Sequence, residues 1–161
     1  MSKDQIIIKM VLDRWYSLIK TGDALLDSIA DEQLQKEIVP NKNRGIYLLG
    51  HLIAVHDEVI SLLNFGDKLY PELYEPFLKL PDRSISEIPS AKELRVCWSK
   101  HNEFLKQKFD SLQPDEWFSK HNAVSAEDFS KEPHRNKLNV LLTRTTHLSY
   151  HLGQIALLKN K

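Results

Sequence analysis

The chain has 161 residues, of which 42% are hydrophobic and 27% charged, and its formal net charge is zero. These values are ordinary for a soluble globular protein, and the length suffices for a substantial core. We therefore expect one domain over residues 1–161. The balanced charge and the lack of a basic block argue against nucleic-acid binding. The apolar runs are shorter than the roughly 20 residues that cross a bilayer, which argues against a membrane partner.

Localisation and redox chemistry are constrained by two simple observations. The N-terminus shows no signal-peptide pattern, so we expect a cytoplasmic protein. Cys97 is the only cysteine, which excludes an internal disulfide and a cysteine zinc cluster. Because Cys97 lies in an apolar helical pattern, we interpret it as a small buried side chain. Any metal must then be held by histidine and carboxylate side chains.

Four long segments carry apolar residues at three- and four-residue spacing, which predicts helices. They cover residues 3–29, 44–64, 90–112 and 135–158. Gly66 follows the second segment as a helix terminator, and Ser90 with Glu93 is typical of a capping box at the start of the third. Lys159 and Lys161 suit the negative end of the fourth helix dipole.

Two long connections separate these helices. Residues 66–89 contain Pro71, Pro76, Pro81 and Pro89, and we expect an ordered connection with a short helix around residues 72–78. Residues 113–134 form the other connection, in which the alternation over residues 118–129 predicts a short hairpin at most. The pattern predicts an all-α fold, a four-helix bundle with long crossover connections.

The fourth predicted helix contains His147 and His151, separated by four residues. On a helix this spacing places two side chains on one face, about 5–6 Å apart at Cβ. Two imidazoles so placed can converge on one transition-metal ion. A helical wheel puts the pair on one flank of the buried stripe, with Arg144 inside the same stripe. A buried cation needs either an internal acidic partner or an anionic ligand, and both alternatives stay open.

The second predicted helix contains two further candidate ligands. His51 lies on the flank of the apolar arc with Glu58 beside it, whereas His56 lies well inside the arc. Periodicity alone permits either histidine as the inward ligand. His101, His121 and His134 we interpret as ordinary core or surface residues.

Two segments carry a family resemblance: residues 47–54, YLLGHLIA, and residues 143–155, TRTTHLSYHLGQI. They resemble the DinB superfamily of metalloenzymes, which includes the YfiT-like proteins and bacterial thiol-dependent S-transferases. The segments DEQL at residues 31–34 and DEWF at residues 115–118 support the resemblance. It extends over essentially the whole chain, and its most specific part is the motif in the fourth helix.

The resemblance implies a three-histidine metal site with open coordination positions. The matching ligands are His51, which follows Gly50 as in the family, together with His147 and His151. The implied cofactor is a divalent ion, zinc or nickel first, with iron or manganese as alternatives. The implied chemistry is that of a metal-dependent transferase or hydrolase, in which a low-molecular-weight thiol such as bacillithiol or mycothiol is activated.

Four more side chains are candidates for roles around this site. Glu58 and Arg144 are catalytic candidates, Glu58 as a base and Arg144 as a clamp for a substrate carboxylate or phosphate. Tyr150 and Gln154 are candidates for hydrogen bonds that orient the imidazoles and so support cofactor binding. Leu148 follows His147 where a zincin protease carries glutamate, so proteolysis is disfavoured.

Two other functions remain open at the level of sequence. The chain could be a non-catalytic metal-binding stress protein, or a metal-free bundle that acts by dimerisation. Bundles of this kind often form homodimers, so a homodimer is the expected assembly.

Overall fold

The computed structural model describes residues 1–160, and within them it confirms the all-α prediction. The α-helices are α1 (Lys3–Asp27), α2 (Asp31–Leu34), α3 (Gly45–Leu62), α4 (Ala91–Ser111), α5 (Pro114–Trp117), α6 (Ala126–Lys131) and α7 (Lys137–Ile155). A 3₁₀ turn at Pro71–Leu73, a π-helical turn at Glu75–Lys79 and a 3₁₀ turn at Ala156–Asn160 complete the helical segments. No strand forms among the described residues, where extended pairing is limited to two isolated bridges.

The four long predicted helices correspond to α1, α3, α4 and α7, with ends within three residues of the predicted ones. The capping box at Ser90 is confirmed, because its hydroxyl accepts from the Glu93 N–H and the Glu93 carboxylate accepts from the Ser90 N–H. The alternation over residues 118–129, which allowed a short hairpin at most, forms no hairpin in the structure. There the Ser125 hydroxyl accepts from the Asp128 N–H at 3.0 Å and starts α6, and this N-cap outweighs the strand-like alternation.

One hydrophobic core joins the long helices. Helix α1 packs along α7, and α3 packs along both α4 and α7. The indole of Trp98 on α4 reaches α1 and donates to the Asp23 carboxylate at 2.8 Å. The largest fully buried side chains of the core include Trp15, Trp117, Phe77 and Phe109. Complete burial of each such aromatic side chain contributes about 1.5–3 kcal/mol.

The connection over residues 66–89 is fixed to α3 at several points. At its start the buried Asp57 carboxylate accepts from the backbone N–H groups of Leu69 and Tyr70, both at 2.9 Å. Further along, the Tyr47 hydroxyl donates to the Leu80 carbonyl at 2.8 Å. The prediction of an ordered connection with a short helix is therefore confirmed. The helical segment beside α3 is the π-helical turn Glu75–Lys79.

The second connection is fixed to the C-terminal end of α3. The backbone N–H of Asn122 donates to the Leu62 carbonyl at 2.9 Å, and its side-chain amide donates to the Ser61 carbonyl at 2.7 Å. The Lys137 N–H donates to the Ser119 carbonyl at 3.0 Å, which closes the loop against the start of α7. The first connection is thus held against α3, and the second against the end of α3 and the start of α7.

Helix α3 is unusually apolar. By length and composition alone, Gly45–Leu62 would be long enough to cross a membrane, but 72% of this segment is buried inside the protein. The other helices cover it, as they would the central helix of any compact protein.

Candidate metal centre

Three histidines from two helices meet in the groove between α3 and α7. His51 comes from the second turn of α3, and His147 and His151 come from adjacent turns of α7. All three side chains are partly buried, and their ligand atoms lie within 4.8 Å of one another. The contact between α3 and α7 therefore assembles the residues that the sequence proposed.

The facing atoms are the three Nε2 nitrogens. His147 Nε2 lies 3.0 Å from His151 Nε2 and 3.3 Å from His51 Nε2. Ligand nitrogens held at 2.0–2.1 Å by one ion lie about 2.8–3.4 Å apart when they meet at angles between a right angle and the tetrahedral angle. The observed separations therefore suit a single metal ion.

The opposite ring nitrogens fix the tautomers of two of these histidines. His51 Nδ1 lies 2.9 Å from the Phe77 carbonyl oxygen, and His151 Nδ1 lies 2.7 Å from Gln154 Oε1. Carbonyl oxygens only accept, so both Nδ1 atoms carry the hydrogen and both Nε2 atoms present a lone pair in the neutral ring. This is the usual arrangement of a metal-bound imidazole.

The lone pairs cannot all be satisfied by the protein. A proton on His147 Nε2 could be donated to one neighbouring Nε2, and the other would then face it without a bond. A single cation between the three nitrogens satisfies all of them at once. His147 differs from its neighbours in one respect, since its buried Nδ1 has no partner among the described residues.

The environment of the two α7 histidines favours their neutral form. Burial, followed by the nearby His151, His51 and Arg144, lowers the pKa of His147 to about 4. Burial also lowers the pKa of His151, although its bond to Gln154 opposes the shift. Neutral imidazole is the form that binds a metal. The donor set, the spacing and the protonation state together fit a divalent ion.

Close packing behind His51 explains why glycine precedes it. A Cβ atom on Gly50 would lie 2.4–2.5 Å from three atoms of the Phe77 ring. The ring can therefore approach α3 only because position 50 has no side chain, and this brings the Phe77 carbonyl to His51. The Tyr47 ring lies 6.4 Å from the His51 ring, nearly parallel to it, and 5.8 Å from the Phe77 ring.

The two residues predicted to orient the imidazoles form a chain of hydrogen bonds that begins at His151. Gln154 accepts from His151, and its Nε2 donates to the Tyr150 hydroxyl at 3.2 Å. The Tyr150 side chain is 64% exposed, and its ring meets the His151 ring edge-on at 5.1 Å. Gln154 therefore contacts a candidate ligand through a hydrogen bond, whereas Tyr150 acts through Gln154 and by ring contact.

Within residues 1–160, neither catalytic candidate forms a hydrogen bond to the three histidines. The Glu58 carboxylate forms a salt bridge with the Lys68 ammonium group at the start of the 66–89 connection. Arg144 is partly buried, its Nε has no hydrogen-bond partner among the described residues, and burial lowers its pKa. No described acidic group lies within salt-bridge distance of Arg144. The sequence predicts either an internal acidic partner or an anionic ligand for Arg144. Within residues 1–160, the structure shows no such internal ion pair.

His56 lies away from the candidate metal centre, inside the core. It is fully buried, with its ring 4.9 Å from Trp15 and 5.9 Å from Trp98. Burial lowers its pKa well below the ordinary range. The helical wheel placed His56 inside the apolar arc, and the structure agrees.

Sequence reasoning missed a second polar group in the core. The His101 ring on α4 lies 3.2 Å from the Asp57 carboxylate, and both are almost fully buried. Burial alone would raise the pKa of Asp57, but the nearby His101 ring and the hydrogen bonds from the Tyr70 and Leu69 N–H groups outweigh it and lower the pKa. Asp57 is an acidic residue in the apolar stripe of α3, and that pattern was the available signal.

Sequence reasoning also missed the Phe77 carbonyl, because a backbone acceptor leaves no residue-type signal. The other remaining candidates behave as ordinary residues. Cys97 is partly buried rather than fully buried, and burial raises the pKa of its thiol, which disfavours a nucleophilic role. His134 is exposed.

Comparisons with known proteins inform the fold. The chain matches no family model and no curated protein. It is similar to a solved structure of a conserved protein from Enterococcus faecalis, with a TM-score of 0.61, 18% identity, and coverage of 99% of this chain and 96% of that one. At this identity the similarity shows a shared fold over nearly the full length of both chains, and it bears on the fold alone.

Proposed function

We propose that this protein is a divalent-metal-dependent enzyme of the DinB type, a four-helix bundle that activates a small thiol for transfer to an electrophile. The observation that carries the proposal is the convergence of three Nε2 atoms whose separations of 3.0 and 3.3 Å suit one ion. The family resemblance of the two histidine segments supplies the class of chemistry.

The residues present fit a catalytic rather than a purely structural centre. Three imidazoles leave at least one position of a four-coordinate ion to water or substrate, the arrangement typical of catalytic zinc sites. A divalent ion held in this way acts as a Lewis acid and lowers the pKa of a bound water or thiol toward neutrality. Zinc and nickel are the cofactors we propose first, since imidazole suits both.

The chain's own residues would hold this centre and shape access to it. Phe77 and Gln154 fix the orientation of His51 and His151 through their carbonyl oxygens. The Tyr47 ring lies next to His51 and the Tyr150 ring next to His151. Glu58 receives no proton-transfer role in this proposal, because Lys68 already occupies its carboxylate.

The test is a thiol-conjugation assay with metal-loaded and chelator-stripped protein, measured over several low-molecular-weight thiols and electrophiles. We expect turnover that depends on the metal and is lost in His51→Ala. The matched control is His134→Ala, an exposed histidine that should retain full activity. If the protein binds metal but shows no turnover with any thiol, it is instead a non-catalytic metal-binding protein.

A further inference from the structure

A small pocket with cationic side chains lies next to the candidate metal centre, at the N-terminal part of α7. Its volume is about 210 Å³, and its polar lining consists of His121, Arg135, Asn139, Thr143 and Arg144. None of the described residues that line it is acidic. The lining combines side chains from α7 with Leu62 at the end of α3, His121 from the 113–134 connection and Arg135 just before α7, so the tertiary fold creates the pocket.

Arg144 supplies a charge that the protein leaves unbalanced. Its Nε is buried and has no hydrogen-bond partner among the described residues. Glu58 is the acidic residue whose charge acts on Arg144, but that carboxylate is already paired with Lys68. A partly buried cation without a paired anion carries a desolvation cost, and an anion bound in the pocket would offset that cost.

The other side chains add positive charge or hydrogen-bond donors. Arg135 forms an ion pair with Glu132 at 3.1 Å, but both side chains are more than a third exposed, so solvent screens this pair. Burial, followed by the charges of Arg135 and Lys120, lowers the pKa of His121, as expected in a positive local field. The Asn139 side chain contributes an amide to the same wall.

The pocket is continuous with the surface next to the histidines. Asn139 and Thr143 line both this pocket and the neighbouring cleft, whose other lining residues include His147 and Tyr150. Arg144 and His147 are three residues apart on one helix, which separates them by about 4.5 Å along its axis. An anionic group at Arg144 could therefore belong to a molecule whose other end reaches His147.

We propose that this pocket binds a compact oxyanion, a carboxylate or phosphoryl group, of the molecule that reacts at the histidine centre. The inference rests on the proposed function and names its substrate class. The Arg144 guanidinium is the anchor, since its fork of N–H donors matches such oxyanions with two parallel hydrogen bonds. His121, Arg135 and Asn139 supply further charge and donors. A neutral substrate would leave the partly buried charge of Arg144 without an anionic partner.

The test uses metal-free protein with inorganic phosphate and with acetate as probes, at constant ionic strength set with sodium chloride. Anion binding is measured by calorimetric titration and by the shift in thermal unfolding temperature. We expect wild type to bind at least one of the two probes saturably. The difference between the phosphate and acetate affinities shows whether the pocket prefers a phosphoryl group or a carboxylate. Arg144→Met should weaken that binding tenfold or more, because it removes charge-assisted hydrogen bonds.

Two controls make the result decisive. Arg14→Met removes an exposed arginine of α1 and should leave anion binding unchanged. Arg135→Gln tests the pocket at a second, more exposed position and should weaken anion binding several-fold. If wild type binds neither probe, or if Arg144→Met binds as tightly as wild type, the assignment of the pocket is wrong.

A metal titration of the same variants separates this proposal from the proposed function. Arg144→Met should bind zinc as wild type does, since Arg144 makes no hydrogen bond to the three histidines. Loss of anion binding with normal zinc binding supports the pocket. If wild type binds the anion but no metal, the anion pocket stands. The metal-centre function is then contradicted, and so is the assignment of the anion to the substrate of that centre.

Discussion

The packing of Phe77 against Gly50 predicts that one added methyl group weakens metal binding. In Gly50→Ala the new Cβ would lie 2.4–2.5 Å from three ring atoms of Phe77. Ordinary carbon contacts are about 3.5–4.0 Å, so the ring must retreat by about 1 Å or more. The carbonyl of the same residue accepts from His51 Nδ1 at 2.9 Å. A movement of that size takes the pair beyond the range of a good hydrogen bond.

The expected losses are of two kinds. Overpacking should lower the free energy of unfolding by about 1–3 kcal/mol. Loss of the acceptor that orients a ligand should lower metal affinity by about 10- to 100-fold. Zinc affinity is measured by competition with a chromophoric chelator, and stability by urea unfolding of the metal-free protein.

The chain supplies a matched control at Gly153 on α7. A Cβ atom there meets nothing within 4 Å. Gly153→Ala should therefore leave zinc affinity unchanged and raise stability by about 0.5–1 kcal/mol, as expected for a helical glycine. Both variants add one methyl group to a helical glycine near a candidate metal ligand, but only Gly50→Ala creates a clash. The comparison therefore separates the effect of the clash from that of the added methyl group itself.

A compensating variant tests whether the ring is the cause. Phe77→Leu in the Gly50→Ala background removes the clash, so it should recover both stability and zinc affinity, and the double-mutant cycle should show strong coupling. If Gly50→Ala loses stability but binds zinc within twofold of wild type, the Phe77 carbonyl does not position His51 and the reasoning is refuted.

Three further predictions concern the surroundings of the centre and the core. Gln154→Met removes the acceptor from His151 and should lower zinc affinity about 10- to 100-fold by the same competition assay, with unchanged affinity contradicting its orienting role. Asp57→Ala should cost about 1–3 kcal/mol in urea unfolding, because the N–H groups that bind the carboxylate lose their acceptor, and rapid hydrogen exchange at Leu69 and Tyr70 should accompany it. His56 is fully buried with a lowered pKa, so below its ordinary value of 6.5 the unfolded chain binds a proton that the folded one does not. Stability should therefore fall by about 2 kcal/mol from this group between pH 7 and about pH 5. His56→Met should flatten the urea-unfolding profile in that window, and an equally steep profile would show that His56 protonates without unfolding.

The helices and the histidine pair follow directly from local pattern. Apolar spacing identifies α1, α3, α4 and α7, and the hydroxyl and carboxylate of Ser90 and Glu93 mark a helix start. A four-residue interval brings His147 and His151 together wherever a helix forms. These features depend on neighbours in sequence, which is why they could be predicted.

The remaining parts of the site depend on tertiary contacts that no local pattern records. A helical wheel leaves both His51 and His56 on permitted faces, and only the packing of α3 against α7 on one side and α1 and α4 on the other separates them. The partner of Glu58 is Lys68, which follows from the path of a connection rather than from the period of a helix. The Phe77 acceptor is a backbone atom and has no signature in the sequence.

The assembly of one metal ion by three histidines is tested most directly by metal stoichiometry. Untagged protein is saturated with zinc, passed over a desalting column and measured by inductively coupled plasma mass spectrometry. We expect one zinc per chain in wild type and in His134→Ala, and far less than one in His51→Ala, His147→Ala and His151→Ala. Wild type that retains no zinc, or single variants that retain the full wild-type amount, would contradict the account.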